Sequence, residues 1–222
     1  MNHLCMLAFS AVFTLGSIAG GNVGKSELWV VDNVKEIGGH QVTIEGNPRV
    51  IQTPQGQALV FDGQDDAVVL NANPLTGART FTIEVVFRPD LGGQREQRFL
   101  HLQVNEDRRV LMETRVNTKE EWFLDTYIKC GPSERTLQSK QGLHPLGMWY
   151  HLALTYDGSE MRHFVNRIQE MAGSVDYTPM EGGQTSIGCR LNRVFWFKGA
   201  LRLVRITHTV LQPEEFLPLK KQ

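Results

Sequence analysis

The sequence predicts an all-β fold, a sandwich of two antiparallel sheets. Apolar and polar residues alternate in runs of roughly six to nine residues from position 58 to position 206, and Gly, Asp, Asn or Pro separates the runs. No segment of comparable length has the apolar spacing of an amphipathic helix. Because successive side chains of a strand point to opposite faces, each run supplies one face for a core. The 222 residues fit a single such domain.

The first twenty residues predict a signal peptide. Leu4 to Ala19 is almost entirely apolar and ends in small residues, and it is shorter than the roughly 20 residues that a spanning helix needs. No Lys or Arg precedes Lys25, so an uncleaved anchor is the alternative. We expect a signal peptide over 1–20, one domain over 21–222 with no transmembrane span after signal removal, and a secreted, periplasmic or cell-surface location.

The first half of the domain contains five runs that predict strands, and they differ in strength. Two weak ones are Trp29–Val31 and Gln41–Ile44. Two stronger ones are the apolar runs at 58–61 and 67–70, and the polar residues between them predict a hairpin or a sharp corner. In Phe81–Arg88 the odd positions are all apolar, whereas the even ones carry Thr, Glu, Val and Arg, which predicts one core face and one face outside the core.

The remaining elements follow the same pattern. Further strands are predicted at Arg98–Gln103, Arg109–Arg115, Trp122–Ile128, Trp149–Tyr156, Arg162–Asn166 and Leu201–Ile206. Near the end of the chain, Pro213 begins a short helical turn that runs to Phe216.

Four segments, in this order, resemble the bacterial laminin-G-like family. They are Ala58–Asp66 (similar to "FDG-x-DD"), Phe81–Pro89 ("FTIEVWFRP"), Gly147–Gly158 ("G-x-W-H-H-V-A-x-T-Y-D-G") and Phe197–Ile206 ("F-x-G-x-I-D-E-V-R-I"). The resemblance implies a concanavalin-A-like jelly roll with one curved sheet and ligands bound on its concave face or rim. Relatives include sugar-binding modules, adhesion domains and catalytic jelly rolls, so the resemblance does not select one function.

An acidic corner offers a calcium hypothesis. Asp62, Asp65 and Asp66 supply carboxylates at one turn, and calcium takes oxygen ligands. The alternative is a tight turn in which the Asp side chains cap backbone amides. The sequence departs from the family at Arg202, where an acid is usual, and this places a cation in the expected ligand set. We expect that no cofactor is required, and calcium remains one alternative.

Polar residues in the central block predict a ligand-binding face. Alternation puts Gln97, Phe99, His101 and Gln103 on one side of a strand, Leu111, Glu113 and Arg115 on one side of the next, and Phe123, Asp125 and Tyr127 on one side of the third. Planar hydrogen-bonding groups beside Trp122 or Trp196 are what a sugar needs. The predicted ligand-binding residues are Gln97, His101, Gln103, Glu113, Arg115, Asp125 and Tyr127. The alternative is a solvated sheet face with cross-strand ion pairs.

The same face offers catalytic candidates. Glycoside hydrolysis uses two carboxyl groups roughly 5 to 10 Å apart, and Glu113 and Asp125 are the best pair. His101 is a third candidate, as a base, although a lone strand histidine is more often structural. The Glu-x-Asp-x-x-Glu strand signature of jelly-roll glucanases is absent, and the set of His, Tyr, Arg and Gln resembles jelly-roll polysaccharide lyases only in inventory.

Net charge limits the classes of binding partner that the sequence predicts, and cysteine content limits the possible disulfides. A net charge of −1 gives no positive field for nucleic acid, which is therefore disfavoured. Cys130 and Cys189 remain after signal removal, and they either form one disulfide or are two free thiols. We expect a monomer that binds a polysaccharide or glycan surface without catalysis; the alternatives are a polysaccharide-degrading hydrolase or lyase, and a protein-interaction domain.

Overall fold

The computed structural model describes residues 24–220, and the predicted signal peptide lies outside this range. Within it, the chain forms two antiparallel β-sheets and one 3₁₀ turn, Pro213–Glu215. No helix among these residues has the length and apolar character needed to cross a membrane. The predicted all-β sandwich is confirmed.

Seventeen strands lie within residues 24–220. In chain order they are β1 (Ser26–Val30), β2 (Glu36–Ile37), β3 (His40–Glu45), β4 (Arg49–Thr53), β5 (Gly56–Asp62), β6 (Ala67–Leu70), β7 (Phe81–Pro89), β8 (Glu96–Asn105), β9 (Arg108–Val116), β10 (Glu121–Cys130), β11 (Ser133–Gln138), β12 (His144–Pro145), β13 (Tyr150–Tyr156), β14 (Glu160–Val165), β15 (Ile168–Ser174), β16 (Gln184–Ile187) and β17 (Lys198–Thr207).

The strands divide into an eight-stranded and a nine-stranded sheet. The eight-stranded sheet runs β15-β14-β13-β7-β17-β5-β4, with β1 added on β17. The nine-stranded sheet runs β11-β10-β9-β8-β16-β6-β3-β2, with β12 added on β10. Successive strands β8 to β11 are neighbours joined by short turns, so residues close in sequence meet on one sheet face.

The main core lies between the two sheets. Phe87 on the eight-stranded sheet packs against Phe99 and Trp122 on the other, with ring centroids 4.7 and 5.3 Å apart. Phe197 completes the cluster, and all four side chains are fully buried. Aromatic rings bury large apolar areas, so this cluster fixes the inner face of β8 and β10 and turns their polar residues outward.

The prediction for Phe81–Arg88 was half wrong, because both faces of β7 are buried. The C-terminal segment 211–219 covers the outer face. There the carboxylate of Glu84 is wholly inaccessible and accepts hydrogen bonds from His151 Nε2 (2.9 Å) and the Leu217 N–H (2.6 Å). Arg205 donates a third bond to the same carboxylate. A charge on an outer sheet face is thus consistent with burial when a later segment folds over it.

Of the two alternatives for the cysteines, a disulfide or two free thiols, the structure has the second: Cys130 and Cys189 are both free. Cys130 ends β10, opposite Arg108, whereas Cys189 follows β16 beyond Ile187, which pairs with Leu100 near the other end of the sheet. The two strands are also three strand spacings of about 4.8 Å apart. That separation exceeds the Cα distance of roughly 7 Å that a disulfide tolerates.

Candidate functional site

An irregularity in β8 determines which side chains of this strand face the candidate site. Arg98 lies opposite Glu113, but the next paired residue of β8 is Leu100, opposite Met112. Phe99 is therefore an extra residue that reverses the alternation of side chains. As a result, Glu96, Arg98, His101 and Gln103 share the face turned away from the core.

This bulge corrects two predicted positions. Phe99 packs in the core against Phe87 and Phe197. Gln97 is fully buried on the other side of the strand, where its Oε1 accepts the Lys198 N–H (2.8 Å) and its Nε2 donates to the Gln94 carbonyl (2.7 Å). Neither side chain lies on the predicted ligand-binding face.

His101 lies on the outer face of β8 but under a loop. Its Nδ1 accepts the Leu191 N–H at 3.1 Å, and its side chain is fully buried. Burial, then the positive charges of Arg190, Arg109 and Arg98, lowers the pKa of His101 to about 3. The imidazole is therefore neutral at physiological pH and closed to a substrate, which fits a structural role better than that of a base.

Glu113 and Asp125 lie side by side on the face. They are directly opposite in the β9–β10 register. Arg115 joins them, with its Nε 2.7 Å from Asp125 Oδ2 and its Nη2 3.5 Å from Glu113 Oε2. Arg98 Nε lies 3.0 Å from Glu113 Oε1, and Gln138 Nε2 donates to Asp125 Oδ2 at 3.0 Å. The convergence predicted for Glu113, Arg115 and Asp125 is present in the structure.

The two carboxyl groups are in an unusual electrostatic setting. Burial and the neighbouring Asp125 charge raise the pKa of Glu113 to about 7, despite the opposing effect of Arg98 and Arg115. Burial also raises the pKa of Asp125. Glu113 is 4% exposed and Asp125 0% exposed, so each carboxyl contacts arginines rather than solvent. Asp125 Oδ1 has no hydrogen-bond partner among the described residues.

A cavity of about 190 Å³ opens over this pair. The residues that line it are Arg98, Arg109, Leu111, Glu113, Arg115, Asp125, Tyr127, Thr136 and Arg190. Strand β9 forms the floor, β10 and β11 form one side, and the loop between β16 and β17 contributes Arg190. Four guanidinium groups and two carboxyl groups surround the cavity, with one aromatic ring, that of Tyr127.

The sequence analysis did not place four of the nine lining residues on this face: Arg98, Arg109, Thr136 and Arg190. Arg98 was assigned to the wrong face by strict alternation, and Thr136 belongs to β11, a polar strand without an apolar run. Arg190 comes from a loop that returns to β8, where the Phe195 carbonyl accepts the Arg98 N–H at 2.8 Å. The ring of Phe195 lies 3.7 Å from the Arg98 guanidinium carbon. No local pattern indicates such a long-range return.

The aromatic platform also differs from the prediction. Trp122 is 0% exposed and belongs to the core, and Trp196 is half-buried in the β16–β17 loop and does not line the cavity. Tyr127 is the aromatic side chain at the cavity, with Arg109 over its ring at 5.4 Å. Its hydroxyl donates to Glu134, and burial followed by this bond raises the pKa of Tyr127 to about 12. Gln103 lies beside the site, bonded to Glu106.

The acidic corner has the geometry of a capped turn. Asp66 accepts the N–H groups of Asn47 (2.6 Å) and Asp62 (2.9 Å), and Asp62 accepts that of Gln64 (2.8 Å). Burial would raise the pKa of Asp62, but the backbone N–H donors lower it. Ligand oxygens of Asp62, Asp65 and Asp66 lie within 4.8 Å of one another, so calcium remains compatible with the corner.

The cation near this corner is not the one expected. Arg202 lies against Gly56, the first residue of β5. Lys198 pairs in register with Asp62 and lines the same cavity as the three aspartates. The departure at Arg202 therefore does not bear on a metal at the corner.

A family model described as the Concanavalin A-like lectin/glucanases superfamily matches residues 62–216. The chain belongs to this family, as the four sequence segments predicted. No curated protein matches the sequence.

Solved structures with the same fold have low sequence identity. Domain 4 of AbnA, a GH43 extracellular arabinanase from Geobacillus stearothermophilus solved with arabinotriose, is 15% identical, with a TM-score of 0.64 over 87% of this chain and 97% of that one. A structure of botulinum neurotoxin type C, whose cell entry depends on two ganglioside molecules, is 13% identical (TM-score 0.62, 86% and 49% covered). The binding domain of botulinum neurotoxin DC with rat synaptotagmin II is 14% identical (TM-score 0.61, 85% and 49% covered). The chain spans about half of these toxin structures.

Proposed function

We propose that the protein is a non-catalytic saccharide-binding domain, and that the cavity over Glu113 and Asp125 holds one sugar unit. The observation that carries the proposal is the lining: an open site of planar hydrogen-bonding side chains with one tyrosine ring and few apolar groups. Guanidinium and carboxylate groups hydrogen-bond sugar hydroxyls, and a half-buried tyrosine packs against the apolar side of a sugar ring.

The volume of the cavity supports the binding of a single sugar unit. Its volume of about 190 Å³ is below the roughly 300–1,000 Å³ typical of pockets that enclose a drug-sized ligand. Two proteins of this fold support the proposal: the arabinanase domain was solved with arabinotriose, and cell entry of botulinum neurotoxin type C depends on two ganglioside molecules. Secretion, as predicted from residues 1–20, would place the domain where polysaccharides and glycan surfaces occur.

The proposal is tested on a glycan array, with polysaccharide pull-down as a second format. We expect binding by the purified protein and at least tenfold weaker binding by Tyr127→Ala, because the ring is at the cavity and is not part of the core. Arg49→Gln, on an exposed position of the other sheet, is the matched control and should bind normally. Lack of response to every glycan would contradict the proposal and favour a protein partner.

One observation favours an enzyme as the second candidate. The pKa of Glu113 near 7 would keep it partly protonated at neutral pH, as a general acid requires, with Asp125 directly opposite. Against this, arginines contact both carboxyl groups and little of either is accessible. New reducing ends or unsaturated uronates in a depolymerisation assay, lost in Glu113→Gln, would establish the enzyme. Binding without product would exclude it for the glycans tested.

A further inference from the structure

The four arginines around the cavity are not equally neutralised. Arg98 and Arg115 each contact Glu113, and both also contact Glu96 at the rim. Arg115 has Asp125 as a further partner. Three carboxyl groups thus contact these two guanidinium groups, so the positive charges of Arg98 and Arg115 are balanced within the protein.

Arg109 and Arg190 share a single carboxylate. Glu106 Oε2 lies 2.7 Å from Arg109 Nη1 and 3.0 Å from Arg190 Nη2, and no other acid contacts either arginine among the described residues. Two positive charges therefore face one negative charge. Glu106 is at the β8–β9 turn with a side chain that is 67% exposed, whereas the arginine side chains are 14% and 20% exposed.

Hydrogen-bond donors of both arginines are also unused. Within residues 24–220, the buried Nε of Arg109 and the buried Nε of Arg190 have no acceptor. Nη1 of Arg190 also donates no hydrogen bond among the described residues, whereas Arg109 has the Tyr127 hydroxyl as a neighbouring partner. Unpaired donors beside an uncompensated charge create a site for a planar anion, since guanidinium groups bind carboxylates through paired N–H bonds.

We propose that the cavity selects an acidic sugar, with Arg109 and Arg190 binding the carboxylate of the unit that occupies it. This inference rests on the proposed saccharide-binding function and adds the substrate class. In the free protein Glu106 pairs with both arginines, so it competes with the ligand carboxylate for their positive charge. Tyr127, stacked beside Arg109, contacts the sugar ring.

The test is calorimetric titration with matched acidic and neutral oligosaccharides. The acidic set is galacturonate oligomers, mannuronate oligomers and sialyllactose; the neutral set is galactan oligomers, mannan oligomers and lactose. A sulfated oligosaccharide separates a carboxylate from anions in general. Each is titrated into the native protein, Arg109→Gln, Arg190→Gln, Glu106→Gln and the control Arg49→Gln.

The expected result has two opposite parts. At least one acidic oligosaccharide binds tenfold or more tightly than its neutral counterpart, and Arg109→Gln and Arg190→Gln each lose that preference at least tenfold. Glu106→Gln should instead bind the acidic sugar several-fold more tightly, because the internal competitor is gone. Added salt should weaken the acidic interaction. Arg49→Gln should behave as the native protein.

The alternative outcomes separate the two proposals. Equal binding of neutral and acidic sugars, unaffected by Arg109→Gln and Arg190→Gln, would overturn the acidic class and leave saccharide binding intact. Tighter binding of the sulfated sugar than of any carboxylated one would overturn the carboxylate assignment. No binding of any sugar by the native protein would overturn both. The variants change partly exposed side chains whose common partner is exposed, so thermal unfolding should show the native midpoint.

Discussion

Glu84 is a buried charge that serves structure, in contrast to the carboxyl groups of the cavity. Burial would raise its pKa, but hydrogen bonds from His151, Arg205 and the Leu217 N–H lower it, so the group is ionised. Its partners come from β13, β17 and the C-terminal segment. Loss of the charge leaves the Arg205 guanidinium without its buried counter-ion and weakens the acceptor of the Leu217 N–H.

We expect Glu84→Gln to destabilise the protein by about 3 kcal/mol, because removing one member of a buried ion pair leaves the other uncompensated. Urea unfolding followed by tryptophan fluorescence measures the change. Glu160→Gln is the matched control: that carboxylate is 32% exposed in its pair with Arg162, so its loss should cost less than about 1 kcal/mol. Equal effects of the two substitutions would show that Glu84 has no special role.

At the scale of elements, the C-terminal segment 211–219 acts as a cover on the eight-stranded sheet. Phe216 is 2% exposed and packs on His151 and Phe164, with ring centroids 5.4 and 5.3 Å apart. Arg167 donates to the Phe216 carbonyl at 2.9 Å. The segment contains only one short 3₁₀ turn, so side-chain contacts hold it in place.

Phe216→Ala should therefore release the segment and destabilise the fold by roughly 3 kcal/mol. Hydrogen exchange should rise in residues 211–219 and at β7, while β9 and β10 on the other sheet keep their protection. Pro218→Ala, at an exposed position of the same segment, is the control. Uniform loss of protection in both sheets would contradict a local role for the cover.

The strands show which parts of the fold can be predicted from the sequence alone. Strands with regularly spaced apolar residues, such as β7, β9, β10 and β13, were predicted within a few residues, because the face that packs against the other sheet must be apolar. Strands β11 and β15 were missed because they are largely polar and exposed. The fold followed from the strong strands and the ordered family segments, which define the sandwich without the weak ones.

The candidate site was predictable only where alternation is regular. Glu113, Arg115 and Asp125 lie on regular strands and met as predicted. The bulge at Phe99 reversed β8, so Gln97 was placed wrongly and Arg98 was overlooked. Arg190 depends on a loop returning across the sheet. Such long-range placement is a property of the packed molecule, and a pattern within one strand does not contain it.

At the scale of the whole molecule, buried titratable groups make stability depend on pH in opposing directions. Burial lowers the pKa of His101 to about 3 and of His163 to about 4, so below pH 6.5 the unfolded chain takes up protons that the folded protein does not. Stability from these groups is present above pH 6.5 and is lost as the pH falls. Glu113 acts in the opposite sense: its pKa of about 7 means that the folded protein retains a proton between pH 4.5 and 7 that the unfolded chain releases.

Two substitutions separate these contributions. A difference of one bound proton between the folded and unfolded states changes the free energy of unfolding by about 1.4 kcal/mol per pH unit. Between pH 4.8 and 6.2, the free energy of unfolding of His163→Gln should therefore rise with pH less steeply than that of the native protein, by roughly this slope. Glu113→Gln should make the increase steeper by a similar amount, and the double variant should restore the native slope. Urea unfolding at four pH values within this range measures all three slopes. An unchanged slope in Glu113→Gln would mean that Glu113 is ionised throughout this pH range. The hypothesis that Glu113 acts as a general acid would then lose its support. The proposed acidic-sugar site at Arg109 and Arg190 would be unaffected, because it does not depend on that proton.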